Sequence, residues 1–146
     1  MSPGIRRTRL LFTPLLVALS ALAGCQNDPV EPDEEPEIEI ARLTIGAQTV
    51  NLIGGSGASV TIPMGSTVVS AVFLDADGAT LSLPTDEFEL RMESQNTARV
   101  TFARTGPFSG TLTGVSAGAA VVKVAAYHLV EQHEDFGPSD LNVTVQ

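Results

Sequence analysis

The chain has 146 residues, enough for one domain with accessory segments and too few for two enzyme domains. Its formal charge is −9, but Arg6, Arg7 and Arg9 precede every acidic residue, and beyond Cys25 five bases stand against 17 acids, a balance of about −12. A surface of that sign repels phosphate backbones and anionic headgroups, so no nucleic-acid partner is expected.

The three arginines open an apolar stretch, residues 10–22, that is too short to span a bilayer comfortably and has the order of an export signal. It inflates the mean hydropathy of +0.20, which therefore overstates the apolar character of the rest. At its end stands Leu22-Ala23-Gly24-Cys25, which resembles the bacterial lipobox. The resemblance implies a signal peptide over 1–24, cleaved before Cys25. It also implies a thioether-linked diacylglycerol on Cys25 and, usually, palmitate-type acylation of the new amino group. Several acyl chains, at about 0.8 kcal/mol per buried methylene, make such an anchor effectively permanent. Cys25 is the sole cysteine, so the domain beyond it has no disulfide and must draw its stability from a core. A region of roughly 105 to 110 residues buries well over half of its unfolded surface, which suffices.

Residues 26–39 read QNDPVEPDEEPEIE, with seven acids, three prolines and no base. Like charges repel and proline lacks a donor, so the lipidated linker, 25–38, is expected to be an extended tether holding the domain off the membrane. The expected location is the cell envelope, on the periplasmic face or the cell surface.

From residue 39 to 146 short runs alternate apolar and polar residues, the pattern of strands with one buried face. In Glu87-Phe88-Glu89-Leu90-Arg91-Met92-Glu93, for example, Phe88, Leu90 and Met92 share one face and the charges the other. Strands are predicted at 39–45, 48–53, 58–62, 66–75, 79–83, 87–93, 98–104, 108–113, 119–130 and 139–146. Gly54-Gly55-Ser56-Gly57, Asp77-Gly78, Gly106-Pro107 and Gly137-Pro138 punctuate them, and no amphipathic helical stretch intervenes. The expected fold is all-β, a sandwich of two antiparallel sheets.

Three patches add a family resemblance. Ser70-Ala71-Val72-Phe73-Leu74-Asp75-Ala76-Asp77-Gly78 runs an alanine-led strand into an Asp-Gly turn. Met92-Glu93-Ser94 is followed by Thr97-Ala98-Arg99-Val100, and Gly110-Thr111-Leu112-Thr113-Gly114-Val115-Ser116-Ala117-Gly118 leads into Ala120, Val122 and Val124. Over residues 40–126 the chain resembles the bacterial immunoglobulin-like group 2 (BIG2) family. The resemblance implies an Ig-like sandwich with adhesive, carbohydrate-associated or spacer roles and no catalysis of its own. The chain departs from the family in three ways: Met92 stands where tryptophan is frequent, an extra loop is expected over 103–109, and 127–139 exceeds the usual ending.

Catalytic and metal motifs are sparse. Gly114-Val115-Ser116-Ala117-Gly118 matches the G-x-S-x-G nucleophile elbow in letters, but residues 119–130 are strand-like where the elbow needs a helix, and a turn requiring two glycines explains it. Asp75-Ala76-Asp77-Gly78 lacks the later ligands of a helix-flanked calcium loop and reads as a hairpin turn. Both histidines fall in the stretch 128–135, where His128, His133, Glu134 and Asp135 offer donors suited to zinc, copper or nickel. Nothing in 129–132 enforces the reversal that convergence needs, so His128 is expected to end a strand and His133 to Asp135 to form a solvated loop. No catalytic residue, metal or cofactor is expected. The sequence supports a non-catalytic, lipid-anchored interaction or scaffolding module with an envelope protein or glycan as partner. The alternative is a small-ligand or metal-binding envelope lipoprotein using the 128–135 loop.

Overall fold

The computed structural model describes residues 37–146, and the expected signal, Cys25 and the acidic run through residue 36 lie outside the described residues. The described residues form nine strands in two sheets and no helix. They are β1 (Ile40–Ile45), β2 (Gln48–Ile53), β3 (Ala58–Ile62), β4 (Gly65–Leu74), β5 (Phe88–Ser94), β6 (Val100–Gly106), β7 (Ser109–Gly114), β8 (Gly118–His128) and β9 (His133–Val145). One sheet has the order β2-β1-β4-β7-β6, the other β3-β9-β8-β5.

The alternation of the sequence becomes the packing. Ala41, Leu43 and Ile45 of β1 and Val69, Ala71 and Phe73 of β4 are buried on the inner face of the larger sheet, opposite Val122, Val124, Leu141 and Val143 of the smaller. Their outward neighbours Arg42, Thr44, Ser70 and Val72 are exposed, as a period of two requires. Valine, isoleucine and threonine dominate because branched side chains fit the pleat. Ile38, assigned from sequence to the linker, is buried in this core, and the Glu39 amide donates to the Leu74 carbonyl, so the folded unit begins before residue 39.

Five expectations need correction. The sheets are not purely antiparallel, because β3 pairs with β9 in parallel, Ala58 opposite Leu141 through Ile62 opposite Val145. The chain leaves the larger sheet after β2, lends β3 to the smaller, and returns at Pro63-Met64, where the Met64 amide bonds the Gln146 carbonyl. Residues 79–83 are not a strand but a single bridge, Thr80 to Leu74. β7 covers β4 only up to Ser70, and the Phe108 carbonyl takes the Ala71 amide, so little open edge is left to pair with. The segment still contributes Leu83 to the core.

Residues 103–109 are not an extra loop. β6 and β7 form a hairpin closed at Pro107-Phe108, with a register shift between Arg104 and Gly106, and Phe108 packs edge-on against Phe73 at 5.6 Å. Gly137-Pro138 does not break a strand; it sits inside β9, where register shifts against β8 mark an irregularity. The resulting β9 starts at His133, so 133–135 are strand residues and not a loop.

The fifth correction concerns Glu89, placed outward by the alternation yet only 7% exposed. Its carboxylate takes the Arg91 guanidinium at 2.8 Å and also pairs with Arg104, while Arg91 lies over the Tyr127 ring. The outer face of a sheet is thus covered locally by arginine stems. Glu89→Gln is expected to lower stability by about 1 to 3 kcal/mol, because charge-assisted bonds weaken while both arginines, half-exposed, keep water. Chemical denaturation checks this, and a neutral result would mean that the ion pairs contribute nothing.

Candidate functional site

β8 and β9 form a long antiparallel hairpin whose tip gathers the only two histidines of the chain. His128 is the last residue of β8, His133 the first of β9, and the two are paired in register. Between them residues 129–132 make a four-residue turn. The Gln132 amide bonds the His128 carbonyl at 2.9 Å, and Gln132 takes a positive φ of 60°. The Leu129 amide is tied to the Glu87 carbonyl at 2.6 Å, which anchors the turn to the segment entering β5. The expectation that nothing in 129–132 reverses the chain is therefore overturned: a left-handed glutamine does what a glycine does in most such turns.

His128 is fixed from below. Its ring stacks on Phe88 at 4.5 Å and 10°, its side chain is 9% exposed, and its Nδ1 is buried without a hydrogen-bond partner. The nearest acceptors stand off, with Glu131 Oε2 at 3.9 Å and Asp135 Oδ2 at 3.7 Å. His133 is half-exposed. Its Nδ1 lies 3.5 Å from the same Glu131 Oε2, and its Nε2 lies 2.5 Å from Asp135 Oδ1. His128, Glu131 and His133 each present one donor atom within 4.8 Å of the others.

Of the four residues singled out by sequence, three converge and one does not. His133 and Asp135 share a face of β9, whereas Glu134 between them points to the other and lines a groove of ≈ 600 Å³ with Glu89, Arg91 and Lys123. Glu131, at the crest of the turn, takes the place expected of Glu134. The parity of a strand would have separated 134 from 133 and 135, but only a reader who knew that β9 begins at 133 could apply it.

The elbow-like motif has a structural use. Ser116 lies in the turn between β7 and β8 and donates to the Ala98 carbonyl at 2.7 Å, while Arg99 Nη1 donates to Ser116 Oγ at 3.3 Å and bonds the Ala117 carbonyl. Strand β8 comes next, and its eleven residues carry the chain roughly 33 Å before His128 is reached. Serine and imidazole therefore occupy opposite ends of one strand. Asp75-Ala76-Asp77-Gly78 forms a tight turn in which Asp75 Oδ1 accepts from the Ala79 amide at 2.8 Å and Gly78 takes φ 80°. No family sequence model matches the chain, and no curated protein is detectably similar to it.

Proposed function

We propose that the chain is a lipid-anchored, non-catalytic module of a bacterial cell envelope, in which an immunoglobulin-like sandwich of the BIG2 kind serves interaction or scaffolding. The observation that carries this reading is the order of its segments. A basic and apolar start, Leu22-Ala23-Gly24-Cys25 and an acidic, proline-rich run lead directly into a two-sheet unit that buries its own core. The separation of Ser116 from both histidines along β8 argues for a binding role over a hydrolytic one. The strong acidity beyond Cys25 favours a protein or glycan partner over nucleic acid.

The test is acylation. Produced with its first 24 residues in a bacterial host, the protein is expected to incorporate labelled fatty acid and to partition into detergent, and Cys25→Ala is expected to do neither. Equal labelling of the two forms would remove the anchor from the reading. Crosslinking in intact envelopes, followed by recovery of the acylated protein, then identifies what the sandwich touches.

A further inference from the structure

We propose that the tip of the β8–β9 hairpin is a binding site for one divalent first-row transition ion of the zinc class, held by His128 Nδ1, His133 Nδ1 and Glu131 Oε2, with Asp135 orienting His133. This goes beyond the envelope reading and does not rest on it, since the site lies wholly within the described sandwich.

The spacing of the donors fits such an ion. Two ligands on one tetrahedral ion with bonds of about 2.0 to 2.1 Å lie about 3.3 Å apart. Glu131 Oε2 stands 3.5 Å from one imidazole nitrogen and 3.9 Å from the other. Those separations are too long for good hydrogen bonds and close to the edge of such a coordination shell. Glu131 needs only a few tenths of an ångström to reach that spacing from either imidazole, the donor atoms of the two imidazoles lie within 4.8 Å of each other, and the two groups free to move, Glu131 and His133, are both half-exposed.

His128 points the same way independently. A buried nitrogen without a partner is destabilising by about 1 to 3 kcal/mol, and the Nδ1 of His128 is such a nitrogen, aimed at the carboxylates of the cluster and held there by Phe88. An ion at the hairpin tip satisfies it. The orientation of His133 agrees as well. Asp135 Oδ1 lies 2.5 Å from His133 Nε2, so a proton carried on that nitrogen has a carboxylate to receive it and Nδ1 faces Glu131 as the lone-pair donor. A carboxylate behind an imidazole is how metal-ligating histidines are commonly held. Two imidazoles with one carboxylate select zinc, copper, nickel or cobalt over calcium and magnesium, which take oxygen shells. With three protein donors, a fourth ligand would be water or a donor atom from a partner.

Titrating zinc into the tag-free full chain in detergent, by calorimetry near neutral pH, tests this. One ion per chain at micromolar affinity or tighter is expected, and cobalt in its place should give the visible ligand-field bands of a low-coordinate site. His133→Ala and Glu131→Gln change half-exposed residues at or beside the turn, and each is expected to weaken binding at least tenfold. Asp135→Asn should weaken it by about 10 to 100-fold, as loss of an outer-shell partner does. Glu134→Gln, on the opposite face, should leave it unchanged. Absence of saturable zinc binding would overturn the proposal. So would binding that survives both His133→Ala and Glu131→Gln, because the ion would then sit on the acidic run 26–39. His128→Ala removes the stacked ring as well as a ligand, so the half-exposed positions decide the question.

Discussion

Leu90→Ala is expected to lower the unfolding free energy by about 2 to 5 kcal/mol, the range for truncating a large buried aliphatic side chain. Leu90 has no exposed surface. It sits on β5 opposite Ala126 of β8, a small residue that cannot swell to fill the space. Its flanking inward neighbour Phe88 is already committed to the His128 ring, so relaxation into the void is limited. Urea denaturation with an unchanged slope and a lower midpoint is the signature of lost packing alone. Thr44→Ala, on the solvent face of β1, is the comparison and should shift stability by less than about 0.5 kcal/mol. A Leu90→Ala loss as small as that would refute the interior assignment of β5.

Gly114→Ala is expected to be destabilising by about 3 kcal/mol, the upper end of the usual overpacking range. A methyl group there would lie 2.5 Å from the Pro63 carbonyl oxygen, 2.8 Å from Val145 Cγ1 and 3.2 Å from the Met64 Cα. Two of those atoms are backbone at the point where the chain passes between sheets, so the clash cannot be relieved by turning one side chain. Gly54, where a methyl group would meet no atom within 4 Å, is the control, and Gly54→Ala should be neutral within about 0.5 kcal/mol. Thermal melts of the two variants check the contrast, and similar melting of both would show that β7 and the crossing at Pro63 are not in close approach. The two glycines of the elbow-like motif thus have separate reasons: Gly114 is needed for proximity, and Gly118 for its φ of 131°.

Most of the strands were legible because a half-buried strand writes its burial at every second letter. β1, β2 and β3 lie where the alternation places them, and β4, β5, β7 and β8 within a residue or two of their expected starts. What failed depended on partners. Residues 79–83 carry the local pattern of a strand, yet pairing is a property of the neighbouring edge, and β7 and Phe108 leave that edge little to offer. Glu89 has the parity of an exposed residue and is covered by arginines from β5 itself and from β6, the latter distant in sequence. The hairpin tip was the costliest omission. Its turn contains no glycine, while the Gly137-Pro138 pair that looked like punctuation lies within a strand. The candidate ligands were visible as residue types, but their convergence was set by the turn conformation at Gln132, which the letters do not announce.

The parallel pairing of β3 with β9 also makes one edge of the smaller sheet depend on a long-range contact. Asn142 reaches back across 84 positions to bond the Ala58 carbonyl, and β9 is flanked by β3 on one side and β8 on the other. β3 therefore depends on a strand distant in sequence for its place in a sheet, whereas β1, β2 and β4 pair among themselves. Until residues 141–145 pair with it, β3 has no sheet to join, so Val60 and Ile62 enter the core through that one contact. That contact closes over 84 positions, and long-range pairing of this kind carries the loop-entropy cost that makes β-rich domains slow to fold.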